Sequence, residues 1–67
     1  MAAKEEVKEL FSKKFGPASA AMLESIKAGN DVTFAKEAYH MLSKKVGATV
    51  AKSFMENIMN KYNVKGD

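Results

Sequence analysis

Apolar residues recur along this chain at spacings of three and four, the period of an amphipathic helix. The pattern is fullest between Gly47 and Tyr62. There Val50, Ala51, Phe54, Met55, Ile58, Met59 and Tyr62 share one half of a helical circumference, and Lys52, Ser53, Glu56, Asn57 and Asn60 share the other. That arc exceeds the stripe of about 100° that a surface helix needs. The segment is therefore expected to touch two or more neighbours and to be the most buried in the molecule.

Three further helices precede it. Val7, Leu10, Phe11 and Phe15 form a stripe over residues 3–15. Its early Glu5, Glu6 and Glu9 and late Lys13 and Lys14 complement the helix dipole, and Glu9 and Lys13 are correctly spaced to pair. Gly16-Pro17 then stops one helix and starts the next. The second, 17–28, is alanine-rich, with Ala18, Met22, Leu23 and Ile26 on its apolar side and a stop at Ala28-Gly29. Asn30-Asp31 is a turn, with Asp31 the first choice of N-cap and Thr33 the second. The third helix, 32–46, buries Phe34, Ala35, Ala38, Tyr39, Met41, Leu42 and Val46. Gly47 either lies within one long helix, at about 1 kcal/mol relative to alanine, or marks a turn with Thr49 near the next N-cap. The turn is favoured, because so short a chain must fold back to bury both faces. The expected architecture is a compact all-α domain of four helices (3–15, 17–28, 32–46, 48–62), one domain over 1–67, with a polar tail, 63–67, that frays. No internal repeat, low-complexity tract or interdomain linker stands out.

Composition narrows the picture. Sixty-seven residues, 46% of them hydrophobic, suit one folded unit near the lower size limit for a self-sufficient core. With no cysteine, disulfides and thiolate metal sites are excluded, which leaves close packing or a second subunit as reinforcement. There is no apolar run of transmembrane length and no signal-type segment, so a cytoplasmic location is expected. The formal charge is +3, and all eleven basic residues are lysine. Without arginine the bidentate contacts to guanine and phosphate are missing.

Catalytic chemistry finds little footing. His40 is the single histidine, with Lys36 and Lys44 one turn away on either side, and no metal-binding spacing surrounds it. Ser12, Ser19, Ser25, Ser43 and Ser53 all fall within helices, away from any nucleophile turn. The four glycines are isolated, so no phosphate-cradling loop forms. The expectation is a protein that is not an enzyme and takes no cofactor. Met22, Met41, Met55 and Met59 lie on apolar faces, where methionine suits both irregular cores and partner-binding surfaces.

Two function classes remain. The first is a protein-interaction module, self-associating or binding a partner helix through Met41, Phe54, Met55, Ile58, Met59 and Tyr62 on helices three and four. Its motive is the apolar perimeter of helix four, which exceeds what short partners can cover. The second is a small nucleic-acid-binding protein. Ser43-Lys-Lys-Val-Gly47-Ala-Thr-Val50 resembles the turn of helix-turn-helix proteins, and Lys44, Lys45, Thr49 and Lys52 could then meet phosphates. Ser53 stands where that motif usually has an aliphatic residue. A membrane-surface helix is third, since helix four has little basic charge on its polar side.

Phe15-Gly16-Pro17-Ala18-Ser19, followed by Met22-Leu23-Glu24, resembles the Gly-Pro-x-[Ala/Ser] helix junction of small helical modules appended to bacterial kinases and sensor proteins. The resemblance covers about a third of the chain. It implies an interaction or signalling accessory module, and it brings no catalytic residues with it.

Overall fold

The structure, a computed structural model, describes residues 2–64. Four helices run Ala2–Phe15 (α1), Pro17–Ala21 (α2), Asp31–Val46 (α3) and Ala48–Lys61 (α4), and no strand occurs among the described residues. The all-α fold expected from the periodicity is the fold observed. The radius of gyration is 10.5 Å, near the ~11 Å of a folded chain this long.

The centre belongs to α3 and not, as the apolar arc suggests, to α4. Phe34, Ala35, Ala38, Tyr39 and Leu42 of α3 are buried. They pack with Ala3, Val7 and Phe11 of α1, Leu23, and Ala51, Met55, Ile58 and Met59 of α4 in one cluster. Small residues on α3 let both neighbours approach, while α1 and α4 meet each other only sparsely. Truncating a buried phenylalanine such as Phe11 or Phe34 typically costs about 3–5 kcal/mol. An exposed ion pair contributes roughly 0.2–1 kcal/mol. The core therefore decides the fold, and the surface charges adjust it.

Gly16 and Gly47 are each the single residue between one helix and the next, at φ 92°, ψ 166° and φ 93°, ψ 151°. Both amides donate back to a serine carbonyl, Gly16 to Ser12 at 3.0 Å and Gly47 to Ser43 at 2.9 Å. The turn at Gly47 is thus the correct one of the two alternatives. A side chain in this backbone region costs of order 1–3 kcal/mol, although a Cβ at either position would meet nothing within 4 Å. The two junctions share a sequence as well, Ser-Lys-Lys-Phe-Gly and Ser-Lys-Lys-Val-Gly. In each case a buried alanine follows four residues after the glycine, Ala20 and Ala51. A short internal recurrence is present after all, and it marks the two places where the chain reverses.

Three local expectations give way. Regular α-helix after Pro17 ends at Ala21, and Met22–Ser25 tightens to a 3-10 turn. Ser25 Oγ donates to the Met22 carbonyl at 2.8 Å, offering the backbone an alternative to the α-helical bond. Ile26 then turns extended, which lets Leu23 enter the core while Ile26 and Ala28 line its edge. At the start of α3, Asn30 is the cap: its side chain accepts the Thr33 amide at 2.8 Å. Asp31 instead accepts the Ala3 amide at 3.2 Å, satisfying an orphan donor at the start of α1. Finally, Asn63 and Val64 do not fray. Asn63 is left-handed (φ 58°), its amide donates to the Asn60 carbonyl, and the Val64 amide donates to the Met59 carbonyl at 2.8 Å. These are the two bonds of a Schellman cap, with buried Val64 and Met59 as its apolar contact. Residues 65–67 of the expected tail lie outside the described residues.

Candidate interaction surface

The wide arc of α4 has one covered margin and one open margin. Met55 (0% exposed), Met59 (4%) and Ile58 (9%) are core residues, so three of the residues expected to meet a partner are already occupied within the chain. α3 and the returning Val64 close over them. Met41 and Tyr62 are half-buried. The open margin is the opposite one, where Val50 is 54% exposed and Phe54 is half-buried.

Around that margin lie residues whose stripe positions led the sequence to place them inside. Phe15 is 44% exposed and Val46 38%. Periodicity reports the angle around a helix and not the position along its axis. Phe15, Val46 and Val50 all sit within one turn of a glycine junction, where the chain reverses. Phe15 still packs against Phe54, with ring centroids 5.1 Å apart, and Phe11 lies beneath at 5.5 Å from Phe54.

α1 and α4 meet only sparsely, and a groove lies between them. Its two adjoining depressions, of about 300 and 570 Å³, share Leu10 and Phe54. One continues to Glu6, Glu9, Lys13, Asn57 and Ile58. The other continues to Lys14, Thr49, Val50 and Ser53. A third cavity, of about 260 Å³, lies between the carboxyl ends of α1 and α3 and brings Phe15, Lys45, Val46 and Met22 together. Lys45 Nζ donates to Met22 Sδ there, at 3.3 Å.

Charge is distributed by end. At the amino end of α1, Glu6 accepts from Lys61 Nζ, and from the Tyr62 hydroxyl at 2.7 Å. The Lys61 ammonium, and after it the Tyr62 hydroxyl, hold the Glu6 carboxyl below its ordinary pKa. Glu24 bridges Lys8 at 2.7 Å and Lys4 at 3.2 Å, and those two ammonium groups, Lys8 first, lower its pKa likewise. At the other end, Lys13, Lys14, Lys44 and Lys45 occupy the last turns of α1 and α3 and are exposed. Thr49 and Lys52, the remaining candidates for phosphate contacts, are exposed on α4. His40 is exposed on α3 beside Tyr39, ring centroids 5.7 Å apart. No group of three or more potential metal ligands occurs among the described residues. None of the described helices is long and apolar enough to cross a membrane.

No protein-family model, curated protein or solved structure matches this chain. The Gly16-Pro17 junction therefore stands on its local geometry alone. Leu10, Phe15 and Val50 stand in the apolar stripes and Lys14 in the late basic turn of α1, but none is among the residues expected from the sequence to meet a partner. The recurrence of Ser-Lys-Lys-x-Gly is the signal that marks their end of the molecule.

Proposed function

We propose that this protein is a non-enzymatic protein-interaction module and that its contact surface is the groove between α1 and α4. The observation that carries this reading is the exposure of Val50 beside half-buried Phe54 and Leu10, all three of which line the groove. Isolated exposed apolar residues are common and need no explanation. A contiguous set lining a groove between two helices is the usual seat of a protein contact. Helices three and four thus contribute less than the chain pattern suggests, and α1 contributes more.

Nucleic-acid binding is the second reading. It is favoured by the gathering of Lys13 and Lys14 with Lys44 and Lys45 at one end. It draws on backbone electrostatics alone, since the chain has no arginine.

One experiment separates the two. A photoreactive phenylalanine derivative is placed at position 50, and as a control at exposed position 36, and irradiated in cells. Discrete protein adducts from position 50 and none from position 36 are expected. Nucleic-acid adducts from position 50 would move the assignment to the second reading. Equal labelling from both positions would overturn the groove as a specific surface.

A further inference from the structure

The groove between α1 and α4 has a direction. The two helices run antiparallel, since Tyr62 reaches Glu6 early in α1 whereas Phe54 meets Phe15 at its end. Along the groove, Glu6 and Glu9 stand at one extreme, Leu10 and Phe54 form the middle, and Lys14 and Val50 stand at the other. Glu6 is engaged by Lys61. Glu9 keeps 70% of its side chain exposed and, among the described residues, pairs only with Lys13 one turn along, at 3.3 Å. Lys14 is exposed and makes no ion pair among the described residues.

We propose that the occupant of this groove is a second copy of the chain, related to the first by a two-fold axis passing near Leu10 and Phe54. The proposal rests on the groove being a protein-contact surface and adds the identity of the partner. A two-fold axis across a groove reverses its direction. A groove with an acidic end and a basic end is complementary to its own reversal, so Lys14 of one protomer faces Glu9 of its partner, and the reverse contact repeats on the other side. A parallel alignment would set lysine against lysine. The apolar middle, Leu10 and Phe54, then meets its own copy around the axis, as an isologous interface requires. Pairing also supplies apolar burial to a chain near the lower size limit for a stable core.

The test is a pair of charge reversals, Lys14→Glu and Glu9→Lys, both at exposed helix positions and both checked for helicity by circular dichroism. Sedimentation equilibrium is run on the native chain, on each variant and on their equimolar mixture. The native chain is expected to dimerise. Each variant alone places like charges at both cross-contacts, and its association weakens roughly tenfold, the factor for ~1.4 kcal/mol. In the mixture, one copy of each variant restores opposite charges at both contacts, so a 1:1 heterodimer with near-native affinity is expected. A mixture no tighter than its components, or variants that dimerise as well as the native chain, would overturn the antiparallel pairing. A native chain that stays monomeric up to millimolar concentration would overturn the second copy as partner. Should position 50 still photolabel a different protein, the groove would survive as a contact surface with another occupant.

Discussion

The two ends of this small bundle are built differently. At one end, side chains tie the helices together. Asp31 accepts the amide of Ala3, Glu6 holds Lys61 and Tyr62, and Glu24 holds Lys4 and Lys8. At the other end, two glycine turns reverse the chain with no side-chain cap on either following helix. Four lysines and the exposed Phe15, Val46 and Val50 crowd around those turns. The tied end spends its polar groups within the molecule. The glycine end ties fewer of them: Lys14 and Lys44 make no ion pair among the described residues, and Phe15, Val46 and Val50 remain exposed.

The sharpest way to break the contrast is at the turns. Gly47→Ala and Gly16→Ala force a Cβ onto backbone near φ +92°, a region that costs non-glycine residues about 1–3 kcal/mol. For a domain this size each kcal/mol corresponds to about 4–8 °C in melting temperature. Both variants are expected to melt measurably lower by circular dichroism. An unchanged melting temperature would mean that the turns relax freely.

A smaller effect separates the ends by pH. Glu6 and Glu24 both titrate below their ordinary value in the folded chain, through Lys61 and Lys8 foremost. Carboxylates with lowered folded pKa values lend stability that is present above the unfolded pKa. That stability is lost as pH falls through the folded value. The melting temperature should therefore decline as pH drops below the carboxylate range, about pH 4. Tyr62 works in the opposite sense. Its hydroxyl donates to Glu6, which raises its pKa, so its contribution is lost only as pH climbs through that raised value. In Glu6→Gln the acid-side decline should flatten. Substitution of Lys44, which has no ion pair among the described residues, should leave that decline as it is.

Much of this was legible in the chain. Helix periodicity located all four helices, and the glycines located both reversals, because a left-handed stop followed by a new start leaves few alternatives. Two kinds of information were not there. The first is how far along its axis each apolar stripe is covered. Phe15 stands one turn beyond buried Phe11 on the same stripe, and Val50 belongs to the same apolar arc as buried Ile58, yet both are exposed. The second is which margin of α4 is closed. That depends on Asn63 adopting a left-handed turn and sending Val64 back over Met59, a tertiary choice for a segment that reads as a polar tail. The cap at Asn30 was misassigned to Asp31 because two adjacent residues both suit the role. The deciding contact, Asp31 to Ala3, lies far away in sequence.

The central claim is that the α1–α4 groove, and no other face, is where this chain meets protein. Amide chemical shifts followed over a dilution series test it most directly. The account predicts concentration-dependent shifts confined to the groove walls, Glu6–Phe15 and Thr49–Ile58, with Lys4, Glu24 and Lys36 unmoved. Shifts centred on the exposed face of α3, or spread evenly over the molecule, would contradict it.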